Sequence, residues 1–319
     1  YYTMKTHDMI MGQRLPNFTG FSNITTNLGQ VNNSGIELTV NTQNISNETF
    51  RWNTSFNFSY NKNEIVHLYY ENEDVLDTEG NVIGSKEMDD IYNGWFIGQP
   101  ISAIWNYKVT GIWQKDEAAQ AAEYGQLPGD PKVENYYTAD DVVADDGKVT
   151  HVYNDKDKQF LGQTSPPYHW SMRNEFELWK SLSFSFNIYS YMGHKSLSGN
   201  YLNNDDDGGR MAYALANMHS KEYWTLDNPT NRFGRIEAKG PTGAAGANML
   251  YNRSFIRLDN ITMGYTLPRK ISSAIDIEKI KFYGTIRNVA VWKKDWPYGD
   301  PETGDMATRV FTLGLNLTF

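Results

Sequence analysis

The chain has no cysteine among its 319 residues, so neither disulfides nor thiolate metal sites can contribute. No apolar run approaches the roughly 18 residues that a membrane-spanning helix needs. That excludes membrane insertion by helices but not by strands. Basic residues are in deficit: 29 Lys and Arg stand against 38 Asp and Glu, a net charge of -9. A nucleic-acid partner, which wants basic stripes, is therefore not expected. Helical periodicity is nearly absent, and only short helices are expected, at Asp116–Tyr124, Gly209–Trp224 and Pro268–Ile275. Catalytic chemistry is also missing. The six histidines (His7, His67, His151, His169, His194 and His219) show no metal-ligand spacing. Adjacent carboxylates such as Asp140–Asp141 lack a glycosidase geometry, and no nucleophile elbow or phosphate loop occurs. An enzyme is not expected. The chain opens Tyr1-Tyr2-Thr3-Met4-Lys5 with no initiator Met or signal peptide. It is expected to be a carboxy-terminal piece of something longer.

What the chain does have is strand periodicity rich in aromatics, which make up 14% of it, including 21 Tyr and 9 Trp. The clearest stretch is the last. In Phe311–Phe319 the apolar residues Phe311, Leu313, Leu315, Leu317 and Phe319 alternate with Thr312, Gly314, Asn316 and Thr318. An unbroken period of two gives a strand with one greasy and one polar face. About 9–11 tilted strand residues cross a bilayer. The same alternation recurs at Asn32–Asn44, Phe50–Asn61, Tyr168–Leu178, Leu182–Ile188, Phe255–Thr266 and Ile280–Asn288, and a partial strand is expected at Tyr1–Asp8.

The connections between these eight strands alternate strictly in length. Short ones fall at Ile45–Thr49, Lys180–Ser181 and Pro268–Lys279. Long ones fall at Met9–Gly29, His67–Pro166, Lys195–Leu250 and Val291–Thr308. Outer-membrane barrels alternate in this way, with short periplasmic turns and long extracellular loops. The strand-like segment Ala103–Gln114 would break the alternation as a spanning strand and is assigned to the large outer loop. N-x-S/T triplets such as Asn57-Phe58-Ser59 and Asn260-Ile261-Thr262 sit inside strands and read as a lumen-facing polar repeat rather than glycosylation sites. The residues alone leave a second architecture open: a soluble secreted β-sandwich or propeller that binds glycans.

Several phrases in order along the chain resemble the SusC/RagA-type TonB-dependent transporters of Gram-negative outer membranes, typical of Bacteroidetes. They are Gly20-Phe21 with Asn27-Leu28-Gly29-Gln30-Val31 and Asn33-Ser34-Gly35-Ile36-Glu37-Leu38; Asn61-Lys62-Asn63-Glu64-Ile65-Val66; Gly98-Gln99-Pro100 with Tyr107 and Gly111-Ile112-Trp113; and Trp224-Thr225 with Asn228-Pro229. The most specific is Ser254 to Pro268, reading S-F-I-R-L-D-N-I-T-M-G-Y-T-L-P, and Asn288 with Asp300-Pro301-Glu302 follows it. The resemblance implies an all-β fold: an antiparallel transmembrane β-barrel segment, about the last eight strands of a 22-stranded barrel, spanning residues 1–319. A large extracellular loop region would occupy positions 67–166. The plug and the TonB-contacting segment would lie upstream of Tyr1. It further implies TonB-energised nutrient import of oligosaccharide or peptide together with a SusD-like surface lipoprotein, and contact with outer-membrane lipid and with the remaining strands and plug. The barrel-assembly machinery would read the terminal strand through Phe311, Leu313, Leu315, Leu317 and Phe319.

Candidate contacts to substrate or lid are the aromatic residues placed in outer loops, Trp95, Trp105, Trp113, Trp224, Trp292 and Trp296, and the anionic run Asp205, Asp206 and Asp207. Trp52, Trp170 and Trp179 read as membrane-interface residues. No cofactor is expected. Members of the family often carry a calcium-like loop, matched here around Asp145 and Asp146. Its ligand positions hold Val142, Ala144 and Tyr153, none of which offers the carboxylate that calcium wants, so calcium is expected only if Asp145, Asp155 or Asp157 replaces them, and the site reads as degraded.

Overall fold

The computed structural model describes the chain except residues 16, 17, 19, 199–221, 237, 245–246, 298 and 305. The expected helix at Gly209–Trp224 falls largely outside the described residues. The chain divides into two compact units. The first comprises Tyr1–Ile101, Ser165–His194 and Asn252–Phe319, and the second comprises Ser102–Thr164 and Lys195–Tyr251.

The first unit is built on one eight-stranded antiparallel sheet whose strand order is the chain order. The strands are β1 (Tyr2–Arg14), β2 (Asn23–Ser46), β3 (Phe50–His67), β4 (Tyr168–Leu178), β5 (Leu182–Met192), β6 (Phe255–Thr266), β7 (Lys279–Lys293) and β8 (Val310–Thr318). Register aligns the apolar residues across strands. Ile36, Leu38 and Val40 of β2 face Tyr60, Phe58 and Phe56 of β3. Those three in turn face Tyr168, Trp170 and Met172 of β4. Further along, Phe184 faces Met263 and Phe186 faces Ile261. Ile280, Phe282 and Ile286 face Leu317, Leu315 and Phe311. A one-residue slip at any pair would turn a whole strand's apolar set to the polar side, so this pattern fixes the register.

Strands β2 to β8 therefore share one apolar face, and no second sheet of the described residues covers it; β1 pairs with the upper part of β2, where the same face carries Thr3 and Lys5. Leu313 is 91% exposed and Phe311 70%. Aromatic rings gather at two levels of this face. Near the short turns Phe176 stacks on Trp52 at 5.7 Å and on Phe50 at 6.3 Å. Toward the long loops Tyr60 stacks on Tyr168 at 4.9 Å. Trp52 and Tyr60 are separated by about 26 Å of strand at the usual rise per residue, or roughly 18–21 Å along the membrane normal at the usual strand tilt, so the two aromatic levels flank an apolar band as girdles do. A polar patch around Asn174, Thr54 and Thr42 interrupts the face. Asn174 is buried, and its Oδ1 accepts from Trp52 Nε1 at 2.9 Å and Thr54 Oγ1 at 2.7 Å. That pairing removes the penalty of an unsatisfied amide there.

The short turns have local causes. Asn47 Oδ1 accepts from the backbone N–H of Thr49 and Phe50, closing the β2–β3 turn. Trp179 and Lys180 both adopt positive φ between β4 and β5, and Ser181 N donates to Leu178 O. That is the hairpin geometry whose twist matches flanking strands. Between β6 and β7, Pro268 opens a helical turn at Arg269–Ser272, which passes into Ser273–Ile275 and ends at Asp276 with φ 55°. The expected Pro268–Ile275 helix is thus present as two short turns.

Two expected boundaries are corrected. The last long loop, placed at Val291–Thr308, begins later because β7 runs on to Lys293. The first long loop, placed at Met9–Gly29, shrinks to residues 15–22, because β1 continues to Arg14 and β2 starts at Asn23. The strands persist where their apolar face changes sides. In β3 the face that carries Asn57, Ser59 and Asn61 next presents Ile65. Ile65 joins Met11, Val31 and Leu68 in a buried cluster, with Trp95 and Ile97 packed against it. Segment 95–101 covers this cluster and pairs with β3, through Ile65 N to Gln99 O and Gly98 N to Ile65 O, both 2.9 Å.

The second unit consists of short ladders. Ala103–Tyr107 pairs with Lys158–Gln163, Val109–Ile112 with Pro131–Val133, and Val142–Val143 with Val149–Thr150. As expected, Ala103–Gln114 does not join the wall. A helix at Ala118–Glu123 lies within the predicted Asp116–Tyr124. Tyr107, Val133, Tyr153 and Ala244 form a core. Asp130 joins distant segments: its carboxylate accepts from Arg235 Nε at 2.8 Å, Leu127 N at 2.9 Å and Lys239 N at 3.0 Å.

Candidate functional site: the polar face of the wall

Opposite the apolar face, register assembles a polar lattice in rows across β3 to β6. The row nearest the long loops is Ser59, His169, Tyr191 and Phe255. Below it lie Asn57, Ser171, Tyr189 and Arg257, and then Ser55, Arg173, Asn187 and Asn260. Next come Asn53, Glu175, Ser185 and Thr262, with Thr285 of β7, and finally Arg51, Glu177, Ser183 and Gly264. Apart from Arg173, Glu175 and the Tyr189–Arg257 end, the middle rows are amides and hydroxyls, several of which bond across strands. Ser55 donates to Asn41 at 2.6 Å, Thr39 to Asn57 at 2.9 Å, and Thr262 lies 2.9 Å from Thr285.

The rows near the short turns are charged. A groove of about 490 Å³ is bordered by Arg51, Arg173, Lys180, Lys279 and Lys281, with Glu175 and Glu177 as its carboxylates. Arg51 pairs with Glu177 at 3.1 Å and Arg173 with Glu175 at 2.8 Å. Lys180, Lys279 and Lys281 have no carboxylate partner among the described residues. Within a chain of net charge -9 this end of the wall is locally basic.

The rows near the long loops are aromatic, and a loop closes on them. His169 stacks on Tyr191 at 4.6 Å, and Phe255 packs against Tyr189 and Tyr191 at 6.0 and 5.7 Å. Arg257 is buried beneath, where its Nη2 makes a bidentate contact with Asp300 at 2.6 and 2.5 Å. Both side chains are at most 5% exposed. Burial raises the Asp300 pKa, but the Arg257 guanidinium and the N–H groups of Glu302 and Thr303 outweigh it. The carboxyl is held below its usual range. Arg257 also donates to Asn288 Oδ1. Asn288 has φ 59°, a left-handed conformation that asparagine tolerates, at a place where β7 bulges against β6. Asp300 thereby anchors a turn that brings Glu302 to Tyr189, whose hydroxyl donates at 2.6 Å. Arg253 holds the same turn from the other side through the carbonyl oxygens of Pro301 and Glu302.

The predicted contact residues are placed as follows. Trp95 packs against the Met11–Val31–Ile65–Leu68 cluster. Trp105 lies in Ala103–Tyr107, under Lys158 at 4.7 Å. Trp113 is buried and donates to Gln126 at 2.9 Å; Trp224 is buried and donates to Gln114 at 3.1 Å. Trp292, expected in a loop, lies instead in β7 opposite Ile256 on the apolar face, because β7 runs on to Lys293. Trp296 receives the Arg253 guanidinium over its ring at 4.9 Å. Asp205, Asp206 and Asp207 lie outside the described residues. Asp145 and Asp146 occupy a tight hairpin turn in which Asp146 accepts from Lys148 N. Among the described residues no three acidic or histidine side chains are grouped as metal ligands. The residues that sequence reasoning did not single out are His169, Tyr189, Tyr191, Arg257 and Glu302. Their sequence signal was membership of alternating strands, of the Ser254–Pro268 phrase for Arg257 and of the Asp300-Pro301-Glu302 phrase for Glu302.

No family model matches the chain. It is 24% identical over 340 residues to TonB-dependent receptor P3 of Formosa agariphila, covering 100% of this chain and 32% of that protein. It is 22% identical over 338 residues to TonB-dependent receptor SusC of Bacteroides thetaiotaomicron, covering 100% of this chain and 29% of SusC. Among solved structures, the RagAB peptide transporter superposes with a TM-score of 0.65 at 20% identity, over 99% of this chain and 32% of that one. The RagAB peptide importer in its closed-closed state gives 0.64 at 22% identity. The chain thus spans about a third of the length of the relatives it matches. Those relatives are receptors and transporters, not enzymes. The comparisons bear out the resemblance drawn from the sequence: the chain is similar throughout to SusC/RagA-type TonB-dependent receptors, and it forms part of the wall of an outer-membrane β-barrel.

Proposed function

We propose that this wall serves an importer that takes oligosaccharide or peptide cargo through the outer membrane, working with a SusD-like surface lipoprotein and energised through TonB. The observation that carries the reading is the facial split maintained from β2 to β8: an uncovered apolar face for lipid and a continuous hydrophilic lattice for a lumen. A wall with only a structural task has no use for a face that is polar along its height, aromatic at one end, hydroxyl- and amide-rich in the middle and charged at the other. The long-loop end, with its aromatic rows and inward turn at Asp300–Gly304, faces the incoming cargo. The basic groove faces the exit. The exposed apolar row Phe311, Leu313, Leu315, Leu317 and Phe319 on β8 serves as the assembly signal.

The test uses the complete receptor, affinity-tagged in its own outer membrane. It should migrate fast unboiled and shift on boiling, and it should co-purify with a surface lipoprotein. Recovery in the soluble fraction without a heat shift would refute the reading and favour a soluble glycan-binding protein.

A further inference from the structure

We infer that His169, Tyr189, Tyr191 and Glu302 form a contact station for neutral saccharide rings on the polar face of the wall; this rests on the importer reading. Three observations carry it. The first is composition by row. On β3 to β5 the two uppermost rows are Ser59, His169 and Tyr191, then Asn57, Ser171 and Tyr189. They hold hydroxyls, amides and aromatic rings, with no aliphatic side chain. A pyranose needs that mixture, because its C–H face stacks on rings while its rim of hydroxyls needs hydrogen-bonding groups.

The second is rigidity. His169 and Tyr191 are stacked, and Phe255, itself only 3% exposed, backs Tyr189 edge-on and Tyr191 at a tilt. The rings are therefore set before any ligand arrives, which limits the ordering cost of binding.

The third is the placement of charge. Arg257 is shared by Asp300 and by Glu302, whose Oε2 lies 3.4 Å from its Nε, so the three groups together carry one net negative charge. Glu302 is the exposed member of the three, with a side chain 36% exposed. It accepts from Tyr189 at 2.6 Å, and its second oxygen is available to a ligand hydroxyl. A single carboxylate beside aromatic rings favours neutral sugars and opposes uronic or sulfated ones, because the like charge would have to be desolvated against it. A peptide would look for unpaired strand edges or for pockets shaped to side chains. β4, β5 and β6 are paired on both sides, and the station offers rings and polar groups only.

The test takes the complete receptor in detergent and presents it to arrays of neutral oligosaccharides, acidic oligosaccharides and short peptides. The best-retained compound is then titrated calorimetrically against the native receptor, Tyr191→Ala and Glu302→Gln. Heat-shifted migration is checked for each. The expected result is retention of neutral oligosaccharides, with about a tenfold or greater loss of affinity in Tyr191→Ala. Glu302→Gln, which keeps the side-chain shape, should lose a few-fold in affinity and gain tolerance of acidic sugars. Retention of peptides or acidic sugars alone, retention of no oligosaccharide at all, or unchanged titration by both variants overturns the inference. If Tyr191→Ala does not fold, Tyr191→Leu with Glu302→Gln decides the matter. A receptor that keeps its heat shift while failing these titrations loses the station but not the importer reading, whereas a receptor without the shift loses the importer reading itself.

Discussion

Removing the Asp300 carboxylate should open the turn at Asp300–Gly304 while leaving the wall intact. In Asp300→Ala the Arg257 guanidinium stays where it is, 5% exposed and set against the rings of Tyr189 and Phe255, with its buried bidentate partner gone and only the more exposed Glu302, 3.4 Å from Nε, as counter-charge. Breaking a buried pair from one side costs about 3–5 kcal/mol. The N–H groups of Glu302 and Thr303 also lose their acceptor, adding about 0.5–1.5 kcal/mol each. The strands on either side are held by their own ladders, so the loss falls on the local opening equilibrium. That equilibrium should move by at least a factor of roughly 100, at about 1.4 kcal/mol per decade.

Hydrogen exchange on the complete receptor reads this directly. Peptides covering residues 300–309 should lose protection, and those covering 281–287 of β7 should not change. The pair Arg257→Met with Asp300→Leu should regain most of the protection, since an apolar pair of similar volume needs no counter-charge. The pH dependence has a defined sign. The folded pKa of Asp300 lies below its unfolded value, so its contribution is complete above the ordinary carboxylate range. It is lost only as pH falls through the depressed folded value. The turn should therefore remain protected at pH 5 and open in strong acid. Unchanged exchange in Asp300→Ala, or equal loosening of β7, would refute the reasoning.

Three further outcomes are expected. Leu313→Arg, on the apolar face of β8, should cost about 2–4 kcal/mol at mid-membrane and lower the heat-shifted fraction, whereas Asn316→Arg on the polar face should be tolerated. Asn174→Ala should leave the Trp52 indole N–H and Thr54 hydroxyl without their acceptor, lowering the urea midpoint of detergent-folded receptor by an amount corresponding to about 1–3 kcal/mol; an unchanged midpoint would count against that pairing. Burial, with the nearby Arg253 charge, pushes His194 down to about 4. The unfolded chain therefore binds the extra proton first, and stability declines as pH falls from about 6.5 toward 4. Histidine C2 hydrogen exchange should titrate near 4 at this residue, and a midpoint above 6 would refute its burial as a neutral ring.

The wall was legible in the sequence because its rule is local. A strand exposed to lipid on one side and water on the other must alternate residue by residue, and Phe311–Phe319 or Phe50–Tyr60 state that rule without reference to anything distant. The rule stops being readable where the environment changes. At Asn61–His67 the strand continues, but the outer side has left the membrane and the inner side has acquired a cover at residues 95–101, so Ile65 takes the side that Ser59 and Asn61 held. Sequence reading accordingly ended the first pair of strands too early, although the backbone pairing runs on to Arg14 and Asn23.

The candidate site was less legible for a related reason. Loop tryptophans look like ligand contacts in a sequence because large aromatic rings outside strands have no evident partner. In the second unit the partners exist at long separation: Trp224 finds Gln114 and Trp113 finds Gln126, and both rings are buried. The station residues had the opposite disguise. Tyr189 and Tyr191 occupy the polar phase of β5, between Asn187 and the end of the strand, where the alternation predicts a lumen side but says nothing of neighbours. Only cross-strand register places His169 beside Tyr191 and Arg257 beside Tyr189, and only a contact spanning 43 residues brings Asp300 to Arg257. Periodicity assigns each residue to a face. The function of that face depends on which residues of other strands share its row, and that information lies in register and in buried charge pairing.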